Sequence, residues 1–205
     1  MSVVAVANIK GGVGKSTIAT HIAGYFATHG HRVVLGDIDR QQSSQLWLGL
    51  RPSNISRIES WRTNFDSILP PPKDAEHAVI DTPAGLHGWR LKEVLNISDK
   101  ILIPIQPSIF DIFASREFLN ELNSYKKIKR ITIGIVGMRV DERTIAAGKL
   151  KEFMDALEIP VVGFIRDTQY YVQMAAHGLS LFDMSPKRVS RDLEQWEPIV
   201  KWLNH

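Results

Sequence analysis

Short apolar runs alternate along this chain with stretches of helical period. Val3–Ala7 is a valine-rich run, and Lys15–His29 has the period of a helix that Gly30 stops. Arg32–Gly36 is the next run and leads into Asp37-Ile38-Asp39. Gln41–Leu50 is predicted as helix, ended by Arg51-Pro52-Ser53. Residues 54–76 carry no sustained period; they leave room for a short edge strand within Ile55–Trp61 and stiffen near Pro70-Pro71-Pro72. Beyond them Ala78–Ile80, Lys100–Ile105, Ile131–Val136 and Val161–Ile165 read as strands. Trp89–Leu95, Asp111–Tyr125, Thr144–Leu157, Thr168–His177 and Val189–Leu203 read as helices. Strands that are continuously apolar, separated by helices, predict an α/β fold: a doubly wound, mainly parallel sheet flanked by helices on both faces. Such sheets bind ligands outside the carboxyl ends of their strands, and the chemistry-bearing segments below all fall there.

Composition narrows the picture only a little. The 205 residues, 44% hydrophobic and 23% charged, suit one globular domain spanning 1–205. The absence of cysteine removes disulfides, thiolate nucleophiles and cysteine-held clusters together. The seven histidines show no metal-binding spacing, and neither Ser16 nor Ser108 has a base at a recognisable distance. The start of the chain lacks a basic leader, and no apolar run approaches the roughly 20 residues of a membrane span, so the expectation is a cytoplasmic protein. A net charge of +3 permits anionic partners without naming one.

The segment Asn8-Ile9-Lys10-Gly11-Gly12-Val13-Gly14-Lys15-Ser16-Thr17 changes the picture most. It follows a predicted strand and opens a predicted helix, the context in which a glycine loop cradles phosphates. Glycine lets the backbone approach an anion closely. The loop N–H groups and the helix N-terminus then hold the phosphate oxygens. Lys15 is placed to reach the β- and γ-phosphates, Ser16 to ligate Mg²⁺, and Thr17 to hold the α-phosphate. Ile9 stands where the general pattern has its first glycine, and Lys10 adds a second lysine that one nucleotide does not need. Asp37 and Asp39 end the second strand and Asp81 ends the strand Ala78–Ile80, giving carboxylates to hold Mg²⁺ through water and to orient an attacking water. For Asp37 and Asp39 a helix-capping pair is the other reading.

The loop K-G-G-x-G-K-[ST] resembles that of the ParA/MinD family of deviant Walker A ATPases, the short single-domain ParA-like partition ATPases in particular. Asp37-Ile38-Asp39-Arg40-Gln41 resembles the family's Asp-x-Asp-Pro-Gln, with Arg40 in place of the proline. Asp81-Thr82-Pro83-Ala84-Gly85 and Pro104-Ile105-Gln106-Pro107-Ser108 also resemble family segments, as do Ile165-Arg166-Asp167 and Ala175–Gly178. The resemblance implies a P-loop NTPase fold with ATP and Mg²⁺ as cofactors. ATP would be bound by Lys10, Gly11, Gly12, Val13, Gly14, Lys15, Ser16 and Thr17, with Arg166 beside the base; Ser16, Asp37 and Asp81 would serve the metal. It implies that Lys10 acts across a homodimer on the partner subunit's nucleotide, that Asp39 positions the hydrolytic water, and that hydrolysis is slow until a partner stimulates it.

What such a dimer carries divides the family. Lys187, Arg188 and Arg191 form a basic cluster placed before the last predicted helix, a candidate contact for nonspecific DNA. The apolar stripe Leu193, Trp196, Ile199, Val200 and Leu203 fits packing on the sheet better than a membrane-surface helix, whose polar face would be richer in lysine and arginine. With the first strand at residue 3, no operator-reading domain is expected before the loop. The leading expectation is therefore a partition or positioning ATPase on the nucleoid, working with a centromere-binding or adaptor protein. A MinD-like membrane-associated regulator and an ATP-dependent synthetase are the competing readings.

Overall fold

The computed structural model describes residues 1–205. Seven strands form one sheet: β1 (Ser2–Val6), β2 (Val33–Asp37), β3 (Glu59–Ser60), β4 (His77–Asp81), β5 (Lys100–Ile105), β6 (Thr132–Gly137) and β7 (Val161–Phe164), in the order β3-β2-β4-β1-β5-β6-β7. Every ladder is parallel. Helices α1 (Lys15–Thr28), α2 (Ser43–Leu50), α3 (Gly88–Ile97), α4 (Ile109–Ser124), α5 (Ile145–Asp155), α6 (Gln169–Ala175) and α7 (Pro186–Asn204) make the connections, with 3-10 turns at Lys126–Arg130 and Leu181–Asp183.

The sheet is buried on both faces because its central strands are apolar at nearly every position. Val3, Ala5 and Ala7 point into one core with Ile80, Ile101, Ile103 and Phe118. Val4 and Val6 point into the other, with Ile18, Ile22, Leu102, Trp196 and Ile199. This is the period-2 alternation of a strand expressed as two hydrophobic layers. Residues 54–76, aperiodic in sequence, hold only the two-residue strand β3, but they carry Trp61 onto the sheet. Gly36 makes room for it: a Cβ there would lie 2.7 Å from the indole ring.

Three boundaries differ from the sequence-based reading in ways that matter. Strand β2 ends at Asp37, so Asp39, read with it as a strand end, lies beyond the strand, whereas Asp81 ends β4 as expected. Helix α2 begins at Ser43 instead of Gln41, because Gln42 adopts a left-handed conformation (φ 52°) and its side-chain amide donates to the carbonyls of Asp37 and Asp39. Helix α7 begins at Pro186 and is kinked at Val189 (φ -129°, ψ 20°), so Lys187 and Arg188 lie in a helical turn ahead of the kink and Arg191 lies just after it. Proline suits the first helical turn, where its missing N–H costs nothing. The apolar face of α7 is committed to the core through Val189, Trp196, Ile199, Trp202 and Leu203; Trp202, placed beside the stripe in sequence, is more buried than Leu193.

Candidate functional site

Strand β1 lies between β4 and β5, so the chain leaves it at the point where connections diverge to the two sides of the sheet. The glycine loop follows directly. Gly14 precedes α1 with φ 97°, a left-handed conformation that favours glycine, and it packs beside the Met138 side chain. Asn8, fully buried, shapes the loop from beneath. Its Nδ2 donates to Pro104 O at 2.8 Å and Ser115 Oγ at 3.0 Å, and its Oδ1 accepts from Lys10 N at 3.1 Å. From the sides, Gly85 N donates to Ile9 O at 2.7 Å and Gln106 Nε2 to Gly12 O at 2.8 Å. The loop borders a cavity of about 540 Å³ through Gly11, Gly12, Gly14, Lys15, Ser16 and Thr17, while Asp39, Arg40, Phe65, Thr82 and Arg139 line the far wall. Val13 is buried and lends the loop only its backbone.

The two lysines sit in different environments. Lys15 is buried, and its Nζ donates to the Lys10 carbonyl at 2.8 Å. Burial lowers its pKa, while the charges of Asp81 and Asp39 hold it up. Lys10 is half-buried, and its ammonium has no hydrogen bond or ion pair within the chain. One lysine is folded into its own site; the other keeps an ammonium without a partner in the chain.

The carboxylates separate just as clearly. Asp37 and Asp81 are register partners on adjacent strands, and both are buried. Asp37 accepts from Asp39 N at 2.9 Å and from Ser44 N at 2.8 Å. Asp81 accepts from Ser44 Oγ at 2.7 Å through one oxygen, while its Oδ1 is buried without a partner. Burial, with the neighbouring charge of Asp37, pushes the Asp81 carboxyl up to about 7; burial likewise raises Asp37. Asp39 alone of the three lines the cavity, half-buried, its Oδ1 accepting from Gln41 N at 2.9 Å.

Of the remaining predicted residues, Arg166 follows β7 and is clamped by Asp192 through two bonds of 2.7 and 2.9 Å. It borders a second cavity of about 430 Å³ that opens from Gly14 and Thr17 and has an apolar wall of Met138, Ile165, Val172 and Ala175. Lys187, Arg188 and Arg191 are exposed and form no part of the phosphate-side cavity. Arg40 packs its guanidinium over Phe65 at 4.3 Å from the ring centre, a ring it shares with Arg90 at 3.5 Å. Ser44, Phe65 and Arg139 carry no signal in the sequence that marks them for the site. Asn8 and Gln106 stand in the motifs, but their bonds to the loop are a product of the fold. Nothing in the local pattern points to Ser44, which reaches Asp81 across 37 residues.

Residues 4–181 match the family model described as the CobQ/CobB/MinD/ParA nucleotide binding domain. The chain belongs to that family. Among curated members, the maintenance of carboxysome distribution protein A of Halothiobacillus neapolitanus is 27% identical over 191 residues, covering 89% of this chain and 88% of its own length. The protein of the same name from Gloeobacter kilaueensis is 28% identical and covers 98% and 94%. Among solved structures, the MinD cell division protein of Aquifex aeolicus superposes with a TM-score of 0.75 at 17% identity over 100% of this chain and 98% of its own. An ATP complex of a Cyanothece McdA variant gives the same TM-score over 98% and 96%, also at 17% identity. Cobyrinic acid a,c-diamide synthase of Mycobacterium smegmatis gives 0.66 at 22% over 85% and 92%. The expected P-loop NTPase fold of the MinD/ParA type is thus present.

Proposed function

We propose that the chain is a ParA-like ATPase that closes a homodimer around two Mg²⁺·ATP, binds DNA nonspecifically in that state, and hydrolyses ATP slowly to position a cargo with a partner protein. The observation that carries this reading is the division between the lysines: Lys15 is buried in its own loop, and Lys10 is half-buried with its ammonium unpaired. A lone site has no use for the second ammonium, whereas a partner subunit's phosphates would neutralise it. The relatives named for carboxysome distribution support a positioning role.

The residues present fit a hydrated Mg²⁺. The orphaned Oδ1 of Asp81 is a buried acceptor in need of a donor such as a metal-bound water, and a cation would lower the raised pKa of both Asp81 and Asp37. No group of three or more His, Asp or Glu is arranged to hold a metal, so phosphate, water and the Ser16 hydroxyl would supply the direct ligands. The ion would neutralise charge on the phosphate oxygens. Lys15 and the loop N–H groups would bind the β- and γ-phosphates, and the Lys15 bond to the Lys10 carbonyl would be exchanged for them. Asp39, the one carboxylate on the cavity wall, would orient water in line with the terminal phosphate. Arg166 and the apolar wall of the second cavity would receive the base.

DNA would engage the exposed cations of α7. No helix is long and apolar enough to cross a membrane, and the apolar face of α7 is already buried, so that helix offers nothing to a lipid surface. Light scattering with a slowly hydrolysed ATP analogue tests the reading. A dimer should form with the analogue but not with ADP, and duplex DNA of arbitrary sequence should shift only under dimer conditions. Negligible DNA binding in all nucleotide states would sink the DNA assignment. Pelleting with anionic liposomes instead would favour the membrane-associated alternative.

A further inference from the structure

Two residues other than glycine have a left-handed backbone: Gln42 and Arg139. Such a conformation is unfavourable for a side chain with a Cβ, and a persistent case invites a reason. For Gln42 the reason lies within the chain, since its amide ties together the carbonyls of Asp37 and Asp39. For Arg139 (φ 53°) the chain supplies none. Its backbone is fixed by neighbours that switch partners, Met138 N donating to Ile105 O at 2.8 Å and Val140 N to Ile165 O at 2.9 Å. Its side chain is exposed and makes no hydrogen bond, ion pair or aromatic contact.

Two nearby acids are occupied elsewhere. Asp141 holds Arg143 at 2.8 Å, and Asp192 holds Arg166. Asp167, which lines the same cavity, forms no ion pair with Arg139. Arg139 also lines both the phosphate-side cavity and the apolar second cavity, as do Gly14 and Thr17. It faces those two residues from the end of β6. An unpaired guanidinium at the seam between a phosphate loop and a base-sized apolar recess is placed for the part of a nucleotide that joins the two.

We propose that Arg139 is a nucleotide-binding residue whose guanidinium engages the sugar and α-phosphate, and that the chain retains strained backbone at this position for that contact. This rests on the nucleotide-binding reading of the site. Arg139→Gly separates the two halves of the idea, because glycine relieves the strain while removing the fork. Isothermal titration with Mg²⁺ and either ADP or a slowly hydrolysed ATP analogue should show both affinities about tenfold weaker. The melting temperature of the free protein should hold, or rise by up to about 4 °C. Arg139→Lys should recover part of the affinity, since it keeps the charge without the planar fork.

Three results would overturn the assignment: affinities within twofold of the parent, loss for the ATP analogue alone, or a fall in melting temperature that tracks the loss of binding. The second would move Arg139 to the terminal phosphate, and the third would make it structural. If the parent protein binds neither nucleotide, the nucleotide reading itself fails and this inference with it. A parent that binds and a glycine variant that binds equally well would remove Arg139 alone.

Discussion

The phosphate loop and the start of α7 both concentrate positive charge, yet they are built in opposite ways. In the loop, Lys15 is buried and bonded to Lys10 O, Gly12 O is held by Gln106, and Asn8 secures the base with three bonds. At the start of α7, Lys187, Arg188 and Arg191 are exposed, and none of them is in an ion pair. The first arrangement fixes donors before a ligand arrives, so a ligand of the right shape meets little reorganisation. The second fixes only the presence of charge, which suits a polyanion read for its phosphates and not for its sequence. Lys10 stands between the two: anchored in the rigid loop by its backbone, free at its ammonium.

Substitutions can break that contrast, and the largest effect belongs to the buried member. Lys15→Ala should weaken Mg²⁺·ATP by about 10²–10³-fold in titration calorimetry, since it removes charge-assisted bonds to two phosphates. Retention of tight binding would refute the loop assignment. Lys10→Ala should leave ATP affinity within about threefold while abolishing the nucleotide-dependent dimer seen by light scattering and the hydrolysis that depends on it. If Lys10→Ala still dimerises, the trans role is lost and the synthetase reading gains.

At the diffuse site, the triple change Lys187→Ala, Arg188→Ala and Arg191→Ala should leave ATP binding and dimerisation intact. It should weaken DNA binding and flatten its dependence on log salt by up to about three per subunit, near 0.9 for each phosphate contact removed. An unchanged salt slope would place DNA elsewhere.

The smallest effect sharpens the electrostatics of the loop's neighbour, Asp81. Its carboxyl titrates at about 7 when folded, against about 4 for an unfolded chain. The folded state therefore binds the proton more tightly. The resulting stability is full below about pH 4 and is lost as pH rises through 7. Compared with Asp81→Asn, the free parent protein should lose stability between pH 5 and 8, by on the order of a few kcal/mol at most, seen as a falling melting temperature. Mg²⁺ with nucleotide should narrow that difference by stabilising the charged form. A flat difference across this range would show that Asp81 is already ionised in the free protein.

Much of this was legible along the chain because it is local. Strand, glycine loop and helix are contiguous, so Val3–Thr28 announces both an element order and a phosphate site. The strand-end position of Asp81 was readable for the same reason. The start of α2 was not, because Gln41 and Gln42 have helical propensity that the turn around Asp37 overrides through hydrogen bonds outside any helix. The difference between Asp37 and Asp39 was hidden too: two residues apart in sequence, one is consumed by backbone N–H groups and the other faces the cavity.

The sequence by itself determined the parallel α/β sheet and the family, because hydrophobic period and a contiguous loop motif need no distant partner to be read. Only the tertiary structure decided which charges are spent. Lys15 and Lys10 are the same residue type in one short loop, and burial alone separates them. Arg139 is an ordinary arginine in the sequence until folding places β6 against the loop, gives it a left-handed backbone, and leaves its side chain without an acid. Burial, strain and unpaired charge are relations between segments far apart in the chain, and they come into being when the sheet assembles.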